Sequence, residues 1–271
     1  MTGRLIVHGT EPPLENMAMD EALLRSCEAG REGFPALRFY RWAQPTLSLG
    51  AKEKPEAAAD LEACRRAGIA LVRRPTGGRA VLHSSELTYS VVAPLGRPPF
   101  VGSVVASYRR IAEAMRRGLA AAGAELELTA GSRRAPRSHL PCFAAPSRCE
   151  LAWRGRKVVG SAQRRLRASA LQHGSILLRS DAEALALATG AAPKARARLA
   201  SAMVGLEEVL GRQLTHEELV ACLVPPMAEV LGAELTEADL TGEERRIAVG
   251  LLDSGRFEVP MENAQTADSP A

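Results

Sequence analysis

The chain has 271 residues, 46% hydrophobic and 24% charged, with a formal net charge of +4 and a sequence pI near 9.0. That is the composition of an ordinary soluble globular protein, long enough for a large core. With Glu11 and Glu15 ahead of the first amphipathic stretch and no apolar run near the roughly 18 residues a span needs, it argues against a signal peptide or a membrane segment and for the cytoplasm. Five cysteines (Cys27, Cys64, Cys142, Cys149, Cys222) are odd in number and scattered without a CxxC pair, which speaks against a disulfide framework and against a zinc site. Lysine occurs only at 52, 54, 157 and 194, and arginine is spread along the chain with no interleaved aromatics, so the basic pI does not indicate nucleic-acid binding.

In chain order, residues 15–30 (ENMAMDEALLRSCEAG) predict a helix, with Met17, Leu23, Leu24 and Cys27 apolar, acidic residues early and Gly30 as the stop. Residues 36–42 (ALRFYRW) and 46–50 (TLSLG) predict strands separated by Gln44-Pro45. Residues 55–68 open on Pro55 and close on Gly68, as one helix would. A short strand, 69–74, then runs into the turn RRPTGGR, and RAVLH and ELTYSVVAP follow as two further strands. Residues 103–123 predict the longest helix, with Val104, Tyr108, Ile111, Met115 and Leu119 near a 3–4 period. AELEL (124–128) predicts a strand and 129–147 a loop. Residues 148–178 predict three strands, the first of them holding Cys149 and the first two turning at Arg154-Gly155. Beyond Asp181 the pattern is helical to about 252. The division is therefore a catalytic domain over 1–180, a helical C-terminal section over 181–252, and a polar tail over 253–271 of disordered character. Short connections favour an α/β (α+β) fold with mixed, largely antiparallel sheets.

Several residues have the chemistry for a site. Cys142, in the proline-flanked LPCFAAPS, lies where a thiol can be held and still reached, although most free cysteines are buried and inert. Only about 3% of an ordinary thiol is thiolate at neutral pH, so a nucleophile there needs a nearby cation. Cys27, Cys64 and Cys222 fall on predicted helices. Lys157, in GRKVVGSAQ, is a compact ammonium in an arginine-rich chain and suits contact with a carbonyl oxygen or a thiolate, or else is a solvated turn lysine. His83 and His173, flanked by apolar strand residues, are equally readable as satisfied core histidines. Gly77-Gly78 is neither a Walker loop, since no Gly-Lys-Ser/Thr follows, nor a dinucleotide fingerprint, since no helix follows.

Taken together, NMAMDEALL, LRFYRWAQPTLSLG, VRRPTGGRAVLHSSELTYSVVAP, GRKVVGSAQRR and LQHGSILL stand in the order of, and resemble, the biotin/lipoate protein ligase and octanoyltransferase superfamily over residues 15–180. The resemblance implies a mixed α/β catalytic domain with an acyl tunnel beside the Gly-Gly turn, and Lys157 as the lysine that contacts the acyl carbonyl. CFAAPS is similar to the nucleophile segment of the branch that moves octanoate from acyl carrier protein to a lysine of the glycine-cleavage H protein, which implies Cys142 as the thioester-forming residue. Arg79 stands where ligases usually have a third glycine. The substrate-binding set so implied is Arg73, Arg74, Thr76, Gly77, Gly78, Arg79, His83, Gly160, Ser161, Ala162 and His173. Gly77 and Gly78 let main chain approach the acyl carbonyl, and Arg73 and Arg74 either dock the acidic carrier or its phosphopantetheine, or sit at the surface. No cofactor or metal is expected; ATP and Mg belong only to the alternative, a lipoate ligase. A transfer between lipoyl domains is a further alternative. The expected partners are octanoyl-acyl carrier protein as donor and a lipoyl-domain protein as acceptor, with neither nucleic acid nor membrane. One departure stands out: the family's aspartate after the histidine is absent, and Ser84-Ser85 follows His83.

Overall fold

A computed structural model describes residues 1–129 and 149–260. The strands are β1 (Thr2–Glu11), β2 (Ala36–Trp42), β3 (Thr46–Leu49), β4 (Ala70–Arg73), β5 (Val81–His83), β6 (Glu86–Pro94), β7 (Glu127–Leu128), β8 (Leu151–Trp153), β9 (Arg156–Arg165), β10 (Ser169–Leu177) and β11 (Glu234–Glu237). The helices are α1 (Pro13–Glu28), α2 (Pro55–Ala58), α3 (Leu61–Arg66), α4 (Val104–Ala121), α5 (Ala182–Ala188), α6 (Pro193–Ala202), α7 (Leu206–Leu210), α8 (His216–Leu231) and α9 (Gly242–Asp253). Eight strands form one sheet in the order β11-β1-β2-β6-β10-β9-β8-β7, and β4-β3-β5 form a second. Only β1–β11, β1–β2 and β3–β4 pair in parallel among these strands, so the sheets are mixed and largely antiparallel, as the short connections require.

Period-two alternation on the central strands decides what each face of the large sheet does. Leu37 and Phe39 of β2, Leu87, Tyr89, Val91 and Ala93 of β6, and Ala170 and Ile176 of β10 enter the main apolar core with Ile111, Met115 and Leu119 of α4 and Leu219, Leu223 and Met227 of α8. The opposite face carries Arg38, Tyr40 and Trp42, then Glu86, Thr88 and Ser90, then His173 and Ser175, all of them buried. That polar face needs partners, and α1 and the small sheet supply them.

The structure departs from the sequence reading in several places. Residues 55–68 form two helices, because Ala59 is extended and the Asp60 side chain caps α3 by accepting from Ala63 N at 2.9 Å. Val104 is exposed rather than core-facing. AELEL pairs only over Glu127–Leu128. Cys149 lies in a turn before β8, with φ of 63°, and not in a strand. The section after Asp181 is not helical throughout, since β11 joins the large sheet beside β1. Residues 254–260, allotted to the polar tail, include Phe257 and Val259, which are buried, and Phe257 O accepts from Arg73 N at 2.8 Å; the tail reading for 261–271 lies outside the described residues. No helix among the described residues is long and apolar enough to cross a membrane.

Candidate active site

The turn after β4 is built around one guanidinium. Arg74, 5% exposed, donates to Ser48 O (2.8 Å), Gly77 O (2.9 Å) and Arg79 O (2.8 Å), and its NH1 also meets Ser48 Oγ at 3.2 Å. Gly78 takes φ of +97°, and a Cβ there would come 2.8 Å from the Arg74 guanidinium. Gly50 presses against the same turn, since a Cβ on it would lie 2.0 Å from Gly78 O. Gly77 has open space where its Cβ would be. Arg73 turns away from it to donate to Gly50 O and Glu53 O.

A cavity of about 50 Å³ lies between the two sheets, lined by Met17, Tyr40, Trp42 and Val81, by the side chains of Ser48, Thr88, His83, His173 and Ser175, and by Arg74, Gly78, Gly174 and the segment Gly160, Ser161, Ala162. Two histidine–carboxylate pairs frame it. His173 Nδ1 is 3.0 Å from Asp20 Oδ2 and Nε2 is 2.7 Å from Thr76 Oγ1. Burial holds His173 below its ordinary pKa, so the neutral ring donates from Nδ1 to the carboxylate and accepts the Thr76 hydroxyl at Nε2. Burial works against the Asp20 charge, but the His173 hydrogen bond and the Arg38 cation outweigh it and hold that carboxyl low. Arg38 (2.9 Å), Ser90 (2.8 Å) and Tyr40 (2.9 Å) complete its shell.

His83 stacks on Trp42 at 4.1 Å. Its Nδ1 lies 2.7 Å from Glu86 Oε1 and its Nε2 2.7 Å from Ser48 Oγ. Thr88 and Ser175 hydroxyls donate to that same Oε1, at 2.6 and 2.8 Å. The carboxylate partner of His83 is thus Glu86, three residues on.

Lys157, on β9 and 2% exposed, donates from Nζ to Glu150 Oε1 at 2.6 Å. Glu150 in turn lines an open groove of about 370 Å³ with Val104, Val105, Tyr108, Cys149 and Gln163, and this groove shares Gly78, Ser161 and Ala162 with the cavity. The structure therefore brings the Gly-Gly turn, Arg74, His83, His173 and Gly160–Ala162 together, and sets Lys157 one carboxylate behind the groove wall. Thr76 reaches the site through His173; Arg79 contributes its carbonyl to Arg74. Cys142 lies outside the described residues. Burial pushes the thiols of Cys27 and Cys64 up to about 12 and about 11, which leaves both as inert helix-packing groups.

Sequence reading missed Asp20, Ser48, Gly50, Glu86 and Glu150. Two signals pointed to some of them. Glu86, Thr88 and Ser90 alternate with apolar residues along β6, a polar stripe on a strand with no solvent face. Asn16, Asp20 and Glu21 sit on the buried side of α1.

The lipoyl protein ligase A/B catalytic domain model matches residues 12–227. A relative named octanoyltransferase LipM from Moorella thermoacetica is 41% identical over 254 residues, 91% of this chain and 93% of its own length. Another of that name, from Kyrpidia tusciae, is 41% identical over 261 residues, 93% of this chain and 95% of its own. Among solved structures, a lipoate-protein ligase A bound with ATP superposes with a TM-score of 0.79 at 25% identity, covering 94% of this chain and 96% of that one. A bipartite lipoate protein ligase from Thermoplasma acidophilum gives the same TM-score at 24% identity, over 94% of each chain, and so shares the fold.

Proposed function

This chain belongs to the lipoyl protein ligase A/B catalytic domain family, and we propose that its reaction is transfer of an octanoyl group from acyl carrier protein to a lysine of a lipoyl-domain protein such as glycine-cleavage H protein. The transfer runs through a thioester on Cys142, without ATP or a metal. The thiolate of Cys142 attacks the donor's thioester carbonyl, the donor C–S bond breaks, and the carrier leaves as a thiolate that takes up the proton Cys142 gave up on ionising. The acceptor's neutral lysine amine then attacks the acyl-Cys142 carbonyl, an amide forms, and the amine's proton goes to the departing sulfur. The first step exchanges one thioester for another and the second is downhill to an amide, so no co-reactant is needed.

The observation that carries this reading is the likeness, over nine-tenths of both chains, to relatives named octanoyltransferases. The site is compatible with it. Arg74 directs its guanidinium at main-chain carbonyls of the turn, an arrangement that shapes a wall. The cavity is small, but it opens through Gly78, Ser161 and Ala162 into the groove lined by Val104, Val105 and Tyr108. Together they suit a hydrocarbon tail, whose seven carbons beyond the carbonyl contribute roughly 5–6 kcal/mol at about 0.8 each. Lys157 sits behind Glu150 at the groove wall, and in this reading its ammonium turns past that carboxylate towards the acyl oxygen and favours the thiolate, since it has three donors to share.

The test is the intact mass of the chain after mixing with octanoyl-acyl carrier protein in the absence of ATP. A hydroxylamine-labile octanoyl adduct on the wild type, and none on Cys142→Ala, is the expected result. If no adduct forms, and acylation of a lipoyl domain instead requires ATP and a free acid, the chain is a ligase. Faster transfer from an octanoylated H protein than from the carrier would make it an amidotransferase between lipoyl domains.

A further inference from the structure

We propose that the open groove flanking the Gly77-Gly78 turn is the docking surface for the acidic, acyl-bearing carrier protein. The inference rests on the donor assigned above and adds where that donor sits. The groove, of about 760 Å³, is faced by Lys52, Arg73, Arg74, Arg164, Arg165 and Arg256 against only two carboxylates, Glu21 and Glu53. That surplus of four equals the formal net charge of the whole chain, so outside the groove the chain is balanced. The local pairing does not cancel the excess. Glu21, whose side chain is 2% exposed, is shared by three guanidiniums, Arg25 and Arg256 at 2.8 Å and Arg164 at 3.4 Å. Arg73 spends its donors on the carbonyls of Gly50 and Glu53, which carry no net charge.

Continuity and sign identify the occupant. The cationic groove and the acyl groove share Gly77, Gly78 and Gln163, so an arm anchored in the first reaches the second without crossing the protein surface. A carrier protein presents an acidic face and a phosphodiester at the root of its arm, both attracted to six cations. The sign of the groove and its continuity with the acyl groove therefore assign it to the donor. Clefts with a surplus of one sign raise association rates and make them fall with salt.

The experiment measures binding of fluorescently labelled holo-carrier protein to the full chain by anisotropy at low and high salt, for wild type, Lys52→Glu and the Lys52→Glu/Arg256→Gln double variant. Lys52 and Arg256 are exposed and line neither the cavity nor the acyl groove. The double variant is expected to bind carrier about tenfold more weakly at low salt with a flattened salt dependence, while affinity for the lipoyl-domain acceptor and the rate of acylation by octanoyl-pantetheine, which has neither phosphate nor protein, stay within about twofold. If Arg256→Gln lowers the melting temperature by loosening Glu21, Lys52→Glu carries the test. Unchanged carrier affinity in both variants, or weakening confined to the lipoyl domain, overturns the proposal. The two levels separate cleanly: carrier binding that needs these cations without any acyl-enzyme would sink the reaction and keep the groove, and transfer from carrier that ignores them would do the reverse.

Discussion

The two histidines at the cavity follow one plan and differ in what surrounds the carboxylate. Asp20 has His173, Tyr40, Ser90 and the buried cation Arg38, so both its oxygens and its charge are answered. Glu86 gathers His83, Thr88 and Ser175 on Oε1, and Oε2 has no partner among the described residues. Both pairs bridge the sheets, His173 from β10 to the Thr76 turn and His83 from β5 to Glu86 on β6. The first is a fully satisfied clamp that fixes the turn. The second keeps a buried acceptor without a partner among the described residues, and burial of an unmade hydrogen bond costs about 1–3 kcal/mol. Fully paired networks hold position, and the incompletely paired one is where adjustment is cheap.

Asp20→Asn tests this contrast most severely. It strips the anion from Arg38, whose side chain is 0% exposed, and should cost about 3–5 kcal/mol by urea unfolding. Gly174→Ala comes next. Gly174 separates His173 from Ser175, one member of each network, and its Cβ would stand 2.3 Å from Gly160 O, so the strands must part at a cost of about 1–3 kcal/mol. Acidification should act through the His173 side. Burial sets His173 below its ordinary 6.5, with His8 and His216 shifted the same way. The unfolded chain therefore binds protons that the folded chain refuses. Stability then falls as pH drops below about 6.5, by at most about 1.4 kcal/mol per unit for each histidine, until the folded groups titrate. His173→Gln should flatten that slope in a series of melts, and an unchanged slope would remove His173 from the account. The smallest effect belongs to Glu86→Gln, which keeps an acceptor for the three donors and should change stability by about 1 kcal/mol or less. If it costs as much as Asp20→Asn, the two networks are equivalent and the contrast fails.

Much of the scaffold was legible. β2, β6, β9, β10, α1 and α4 carry strong periods and clear stops, and their bounds come close to the sequence reading. β1 and β11 were not, because each is stabilised by a partner far along the chain rather than by its own pattern, and the 55–68 segment broke where a capping aspartate outweighed a single-helix reading. The Gly-Gly turn, His83, His173 and Lys157 stood out by residue type. Their carboxylates did not, since Asp20 meets His173 across 153 positions and Glu86 sits inside a run that reads simply as strand. Arg74 was legible as a cation yet not as the inward brace of its own turn, because the direction of a guanidinium is set by the carbonyls around it.

The parallel pairing of Thr2 with Glu234 and Leu5 with Glu237 has a consequence for how the chain is made. β1 precedes β2, which it also pairs, but its outer neighbour is synthesised only after β2 to β10 and α1 to α8, and the buried Arg4–Glu244 ion pair is completed later still. Until β11 has emerged the nascent sheet thus presents a bare β1 margin, and the growing polypeptide must be kept from annealing to its neighbours until that strand covers it.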